Sequence, residues 1–154
     1  MAMEITASSE SADEIASFLV RVYEIHEVII EETGGLPGLR EASLLHSAVA
    51  RPFATFDGQD LYTDLFEKAA ALFHSLIKNH PFMDGTKRTA LAATLYFLAQ
   101  HGHALPEKLP IEEVVAYCVA VAEENMRLYR GETHQQFTVS DIAVWLEQLT
   151  APQS

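Results

Sequence analysis

The residues best suited to chemistry lie in the segment 78–88, which reads KNHPFMDGTKR. His80 can act as a base near neutral pH, and Asp84 can hold a hard metal cation through its oxygen atoms. Two cations, Lys87 and Arg88, close the segment. A base, a carboxylate and two cations in so short a stretch point to chemistry on a bound anion.

The two cations stand where helix chemistry disfavours them. Residues 85–100 are predicted to form a helix, with Asp84 as its N-cap. A capping box would place Glu or Gln three residues after the cap, but the chain has Lys87 there, followed by Arg88. A cation beside the positive end of a helix dipole costs roughly 0.3–1 kcal/mol. A phosphate on the free N–H groups of the first turn would reverse that sign, so the segment is predicted to bind an anion.

The composition excludes several other classes of protein. The chain has 154 residues, of which 49% are hydrophobic, so it can bury the core of one domain and is not expected to be disordered. Its net charge of −12 argues against a nucleic-acid-binding face. Because three of its ten Lys and Arg residues lie in segment 78–88, a small phosphorylated ligand is favoured over a polyanion.

The cysteine content and the start of the chain favour a reducing compartment. Cys118 is the sole cysteine, so no disulfide can form within the chain. The opening residues 1–4 carry no basic stretch and no long apolar run follows, which predicts neither a signal peptide nor a membrane span. We expect a cytoplasmic protein that binds neither nucleic acid nor membrane.

Hydrophobic periodicity predicts an all-α domain, a compact bundle of about six helices. The predicted helices are 12–33, 41–50, 63–79, 85–100, 111–126 and a last one that opens in the capping-box segment 138–141 and runs through Leu149. A single domain is expected over 11–150, with flexible ends at 1–10 and 151–154. Residues 53–62 have no clear period, and Asp57-Gly58 within them is a turn or hairpin signal.

Several polar residues outside the segment 78–88 have plainer interpretations. His74 lies inside an apolar helix and is interpreted as a buried histidine with satisfied ring nitrogens. Glu123 and Glu124 are expected on a solvated face. Arg40 and Arg51 stay open between contact with the site or its target and a simple place on the surface.

The segment 80–88 resembles the signature of the Fic/Doc family, His-x-Phe-x-Asp-Gly/Ala-Asn-x-Arg. Lys87 before Arg88 makes it similar to the Doc branch, the "death on curing" toxins. The Fic branch usually has a glycine before the arginine and a second arginine three positions after it, where this chain has Leu91. Similarity to Doc sequences extends over roughly residues 20–149. Outside the motif it is carried by 37–40, 44–45, 48–52, 55–58 and 65–70.

The resemblance implies a role for each residue of the loop. His80 would be the general base that takes the proton of the target's hydroxyl group. Asp84 would hold Mg²⁺ on the phosphates of the nucleotide. Phe82 would anchor the loop in the core.

The resemblance likewise implies a phosphate-binding helix start. Backbone N–H groups of Gly85, Thr86 and Lys87 would bind phosphate, and the side chains of Lys87 and Arg88 would grip it. Lys78 stands where Doc-like proteins commonly carry a basic residue, and is a further candidate for nucleotide binding.

The same residues also have structural interpretations. A histidine at a helix end can be a cap, Asp84 can be a plain N-cap, and Lys87 with Arg88 can be a solvated pair. The surrounding motif favours the base for His80. The cost of two cations at a helix start disfavours the solvated pair.

The family fold and activities complete the expectation. The fold is an all-α bundle with a β-hairpin flap beside the site, and 53–62 is the candidate flap, which would align the target segment by strand addition. Fic-type members transfer AMP from ATP to a hydroxyl, whereas Doc-type members transfer the γ-phosphate, with elongation factor Tu as the associated target. The motif favours a Doc-like toxin that uses ATP and Mg²⁺ on a Ser or Thr hydroxyl and pairs with a cognate antitoxin. AMP transfer, or a degenerate relative that only binds nucleotide or a partner, stays an alternative.

One residue departs from the family signature. Thr86 stands at the position of the family's asparagine. An amide can donate and accept at once, whereas a hydroxyl is shorter and does only part of this. If the chain is an active enzyme with a slightly impaired phosphate site, Thr86→Asn should raise transfer modestly. A fall would indicate a native threonine in an optimised site, and no turnover would indicate a binding-only relative.

Overall fold

The structure, a computed structural model, describes residues 9–152, and within that range the secondary structure is helical apart from one small hairpin and an isolated bridge. The helices are α1 (Ser9–Thr33), α2 (Ala42–Ala50), α3 (Leu65–Asn79), α4 (Thr86–Gln100), α5 (Ile111–Ala122), α6 (Glu124–Tyr129) and α7 (Val139–Leu149), and a 3-10 turn spans Arg51–Phe53. The strands are β1 (Thr55–Phe56) and β2 (Gln59–Asp60). The prediction of an all-α fold with a short flap is confirmed.

Helix α3 lies at the centre of the bundle. Eight of its 15 residues are buried, including the run 69–73, and α2, α4, α5 and α7 pack around it. The alanines at 69–71 leave room for neighbouring helices to approach closely. Farther along α3, Phe73 packs against Trp145 of α7, with ring centroids 5.7 Å apart.

The loop 80–85 joins the packed helices α3 and α4, and left-handed backbone marks both of its ends. His80, the C-cap residue of α3, has φ 49°, and Gly85, immediately before α4, has φ 74°. A side chain at position 85 would be strained in that conformation, which explains the glycine. The C-terminal end of α3 and the N-terminal end of α4 therefore meet at this loop.

The predicted helix 111–126 is wrong in its continuity, because the chain breaks it at Glu123, between α5 and α6. The expectation of a solvated Glu124 is also wrong, since that residue is only 8% exposed. Its Oε1 accepts a hydrogen bond from Phe137 N at 2.7 Å, and its Oε2 lies 2.6 Å from Lys78 Nζ. These two partners hold the carboxylate inside, and α6, which Glu124 opens, is a seventh helix that periodicity alone does not show.

The predicted flap at 53–62 is confirmed as a tight antiparallel hairpin. Its two central residues, Asp57 and Gly58, have φ 53° and 76°, the mirror-image turn that suits the twist of paired strands. Lys68 of α3 fastens the returning strand, because its ammonium donates to Asp60 Oδ2 at 3.0 Å and to Tyr62 O at 2.6 Å.

The two chain ends lie partly outside the described residues. Of the predicted flexible ends, residues 1–8 and 153–154 lie outside the described part of the chain, and Ser9 opens α1. Among the helices described, none combines the length and the apolar character needed to cross a membrane.

Candidate active site

The loop between α3 and α4 is anchored by a buried stack of two rings. Phe82 is 1% exposed, and His26 of α1 lies on it with ring centroids 3.8 Å apart and planes at 8°. Nε2 of His26 donates to the backbone oxygen of Asp84 at 2.8 Å. The predicted anchoring role of Phe82 is therefore joined by a residue that sequence reasoning missed. Its signal was a polar residue one turn after Val22 on an otherwise apolar stripe.

The segment before α2 pairs with the same loop from the other side. Met83 N donates to Gly38 O at 3.0 Å, and Arg40 N donates to Pro81 O at 2.7 Å. The Arg40 side chain donates to His80 O at 2.9 Å and to Asn79 O at 2.8 Å, which satisfies carbonyls at the end of α3. Of the two roles left open for Arg40, the structure shows contact with the loop that carries His80.

His80 is an exposed residue whose ring is held on one side. Its Nδ1 lies 2.7 Å from Oγ1 of Thr86, a residue only 6% exposed at the first position of α4. The ring lines a cavity of about 350 Å³ between the end of α3, the start of α4 and the α5–α6 junction. The residue is thus a helix cap and also presents an oriented imidazole to solvent.

Asp84 is held by backbone donors and not as an N-cap. Gly85 is the residue at the cap position and α4 has no side-chain cap, so the predicted capping role of Asp84 is wrong. Instead, Asp84 Oδ1 accepts from Gly85 N at 2.9 Å and Oδ2 accepts from Leu36 N at 3.2 Å. The hydrogen bonds from Leu36 and then Gly85 lower the pKa of this carboxyl group. The Asp84 side chain thus binds the backbone N–H of Leu36, in the turn after α1, instead of capping α4.

Gly35 makes that arrangement sterically possible. A Cβ atom at this position would lie 2.7 Å from Asp84 Oδ2, and the backbone has φ 115°. The sequence identifies Gly34-Gly35 as a helix stop, and the structure adds that the second glycine leaves space for the carboxylate.

The cations of the motif occupy the first turn of α4, as the sequence predicts. Arg88 hydrogen-bonds through its guanidinium to Thr33 Oγ1 at the end of α1, and lies 4.0 Å from Asp84 Oδ1. Lys87 is exposed, and within the described range it has no acidic partner in ion-pair distance. Its charge is therefore available to a ligand.

Lys87 lines two cavities that flank the start of α4. The first is the cavity beside His80 and Thr86. The second, of about 260 Å³, has Asp84 and Arg88 on its polar side. Its opposite wall is apolar and consists of Leu91, Val114, Val115, Cys118 and Val119. Burial raises the pKa of the Cys118 thiol to about 11, so this wall supplies an inert surface.

Comparison with known proteins agrees with this geometry. The model of the Fic/DOC family matches residues 19–98, which include α3, the loop and nearly all of α4. The chain belongs to this family. The matched segment contains the His80 loop, the Asp84 carboxylate and the cationic start of α4 without interruption.

Two curated relatives carry the name Doc. Over 79 residues the chain is 47% identical to "Toxin Doc" of Mycolicibacterium smegmatis, and over 78 residues it is 35% identical to "Protein kinase doc" of Escherichia phage P1. Each match covers 51% of this chain and 61% of the relative. The chain thus spans about three-fifths of the length of these relatives.

Among the family residues, Lys78 has a partner that the motif does not reveal. Its ammonium is largely buried and forms the ion pair with Glu124. Burial alone would raise the pKa of the Glu124 carboxyl, but hydrogen bonds from Lys78 and Phe137 N outweigh it and lower the value. Lys78 lines the cavity beside His80 with its charge already compensated.

A chain of contacts connects the flap to this cavity. Arg51 donates to the Tyr62 hydroxyl at 2.9 Å, to Ser75 Oγ at 2.8 Å and to His74 Nδ1 at 2.8 Å. Burial, and then the charges of Arg51 and Lys78, lower the pKa of His74. The residue is half-buried rather than fully buried as predicted, and its Nδ1 has Arg51 as a partner. His74 precedes Lys78 by one turn of α3, which places the base of the flap on the helix face that leads to the site.

Proposed function

We propose that this member of the Fic/DOC family is a Doc-like toxin that transfers the γ-phosphate of ATP to a hydroxyl group of a target protein. The observation that carries the proposal is the meeting of an oriented imidazole and a cationic helix start across one short loop. The relative named as a protein kinase supports phosphoryl transfer over other reactions. Chemistry of this kind depends on positioning and electrostatics.

His80 supplies the proton acceptor. Because its Nδ1 is engaged with Thr86 Oγ1, the other ring nitrogen, Nε2, is the one free to face the target. Nε2 takes the proton of a Ser or Thr hydroxyl as the oxygen attacks the γ-phosphorus. The bond between that phosphorus and the bridging oxygen breaks, and ADP leaves with the electron pair.

The start of α4 supplies the anion-binding site. The first backbone hydrogen bond of this helix joins Thr89 N to Gly85 O, so the N–H groups of Thr86, Lys87 and Arg88 have no acceptor within the helix. Those donors, the helix dipole and the two side-chain cations all attract phosphate. The cost of placing cations here is thereby offset when the nucleotide binds.

Asp84 fits the Mg²⁺ that the family uses. Its carboxylate is half-exposed, its pKa is lowered, and each oxygen accepts only one backbone hydrogen bond, which leaves lone pairs free. Within the described range no cluster of three or more His, Cys, Asp or Glu residues forms a protein-only metal cage. Mg²⁺ is commonly held by one or two carboxylates together with substrate phosphates, and would neutralise phosphate charge here.

The flap and a second protein complete the proposal. The exposed hairpin 55–60 offers a strand edge on which a target segment can pair, with main-chain hydrogen bonds that set its register. The resemblance to Doc-type toxins makes a translation elongation factor the proposed target and a cognate antitoxin the proposed partner.

Incubation with ATP labelled separately at the α and γ positions tests the reaction. Transfer of the γ label to a protein target, absent in His80→Ala, supports the proposal. Transfer of the α label would indicate AMP transfer, which Leu91 disfavours because it stands at the place of the second arginine in the Fic branch. Binding of ATP with transfer of neither label would indicate a family member that binds the nucleotide but does not catalyse transfer.

A further inference from the structure

We propose that Thr86 is a positioning residue that selects the catalytic tautomer of His80. Its hydroxyl oxygen accepts the Nδ1–H of the imidazole, which leaves Nε2 unprotonated and able to take a proton. This inference rests on the proposed function, since it assigns the residue that prepares its base. It also gives a purpose to the threonine at the family's asparagine position.

The geometry limits what the Thr86 hydroxyl can do. Its oxygen is 2.7 Å from His80 Nδ1, and the residue is 6% exposed. A β-branched side chain at the start of a helix has few rotamers. The positive φ of Gly85 fixes where that helix begins, and the ring stack of Phe82 with His26 fixes the loop between the two partners. The hydrogen bond between His80 and Thr86 is therefore held in place by the start of α4 and by the anchored loop.

The direction of this hydrogen bond decides whether His80 can work. A neutral imidazole has one N–H and one acceptor nitrogen. If Thr86 donated to Nδ1, the ring proton would sit on Nε2, the nitrogen that faces the target, and that nitrogen would have no lone pair for a proton. If Nδ1–H donates to Thr86, Nε2 is the acceptor. An unconstrained imidazole in water prefers the Nε2–H form, so the useful tautomer needs a partner.

An anion at the start of α4 favours the useful direction. The hydroxyl has one proton, and Thr86 borders the cavity that Lys87 also lines. A hydrogen bond to a charged phosphate oxygen is roughly twice as strong as one to a neutral nitrogen, so the anion takes that proton. The oxygen of Thr86 then has only lone pairs left for His80. Within the described part of the chain, neither Lys78 nor Glu123, which also line this cavity, makes a hydrogen bond to the His80 ring, and Lys78 is paired with Glu124.

Nitrogen-15 NMR of the histidine-labelled full chain tests the tautomer without any need for activity. With inorganic phosphate present and the ring neutral, wild-type His80 should show a protonated Nδ1 and an unprotonated Nε2. Thr86→Val should shift the ring toward the Nε2–H form, and Thr86→Ser should keep the wild-type pattern. A wild-type His80 protonated on Nε2 overturns the inference, whatever the variants do.

A matched control is available on the same helix. Thr89 is fully buried one turn later, and its hydroxyl has no hydrogen-bond partner among the described residues. Thr89→Val makes the same chemical change away from the ring, so the His80 spectrum should be unchanged. An equal shift in Thr89→Val and Thr86→Val would show a general effect of helix α4 and would also overturn the inference.

Kinetics with γ-labelled ATP provide the second readout. Thr86→Val should lower kcat by about ten- to a hundredfold, the loss of one hydrogen bond to the imidazolium that forms during transfer, with KM for ATP little changed. Thr86→Ser should restore most of kcat. A kcat of Thr86→Val equal to that of wild type overturns the inference. If the wild-type protein transfers nothing, the proposed function fails while the NMR result still decides the role of Thr86.

Discussion

The imidazole of His26 lies flat on the phenyl ring of Phe82, and its Nε2 donates to the backbone oxygen of Asp84. One buried side chain of α1 thus fixes both the anchor of the loop and the carboxylate-bearing residue. We expect His26→Phe to keep the ring stack but leave that backbone oxygen unpaired. The free energy of unfolding in urea should fall by about 1–3 kcal/mol, the penalty for a buried acceptor without a donor. Unchanged stability would show that water replaces the ring nitrogen.

His80→Ala should abolish most transfer while the fold stays intact. The loss of a general base costs on the order of 10²–10⁴ in rate. Single-turnover transfer from γ-labelled ATP measures the effect, and circular dichroism with a melting curve confirms the fold. Wild-type activity in a folded His80→Ala protein would falsify the assignment of the base.

Asp84→Asn should remove most of the dependence of ATP binding on Mg²⁺. The amide keeps the size of the side chain but not the charge that a divalent cation requires. Titration calorimetry with and without Mg²⁺ compares the two proteins. Equal affinity of the wild type in both conditions would exclude Asp84 as a metal ligand.

We expect Asp84→Asn also to change how the free energy of unfolding depends on pH. Backbone hydrogen bonds from Leu36 and Gly85 hold the pKa of the Asp84 carboxyl below its usual 3.8. A group whose pKa is lower in the folded state stabilises the fold above its unfolded pKa, and that contribution is lost as pH falls through the folded value. Wild type should therefore exceed Asp84→Asn in stability at pH 7, and the difference should shrink below about pH 4. A difference independent of pH would contradict the assigned cause.

Lys78 and Glu124 should behave as a structural pair. Lys78→Met leaves a carboxylate that is 8% exposed without its cation, which should cost on the order of 2 kcal/mol of unfolding free energy. Adding Glu124→Gln removes the stranded charge and should recover part of the loss. A double-mutant cycle measures the coupling, and additive losses would show that the ion pair contributes no stability of its own.

Thr86→Asn should lower transfer, the reverse of the modest rise expected from the sequence. The added heavy atom enters a site where Thr86 is 6% exposed and its oxygen already lies in hydrogen-bond contact with His80. Overpacking of this kind displaces neighbours. Single-turnover rates of wild type and Thr86→Asn distinguish the two expectations. A faster variant would show that Thr86 impairs the phosphate site, as the sequence suggests.

Local signals predicted the parts of the fold that local contacts make. The capping box of α7 is an example, since Thr138 and Asp141 exchange side-chain and backbone hydrogen bonds three residues apart. The flap is another, because Asp57-Gly58 encodes its turn in two residues. The motif also identified where His80, Lys87 and Arg88 would stand.

Partners that are distant in sequence determine the side-chain contacts that local sequence signals did not predict. Asp84 is an excellent N-cap by type, but the N–H of Leu36 lies within reach and Gly85 carries the helix start instead. Glu124 reads as solvated until the ammonium of Lys78 and the N–H of Phe137 are placed beside it. No pattern within a single helix contains that information.

The long-range hydrogen bonds of the loop 80–85 determine at which stage of folding the loop can form. The bond from Arg40 to His80 O spans 40 residues, that from Leu36 to Asp84 spans 48, and that from His26 to Asp84 O spans 58. Contacts so far apart in sequence form only after the intervening chain has been closed into place, at a cost in entropy. An isolated peptide of the motif would hold none of this geometry. A chain still emerging from the ribosome would carry the whole signature without a formed site until the bundle around it had closed.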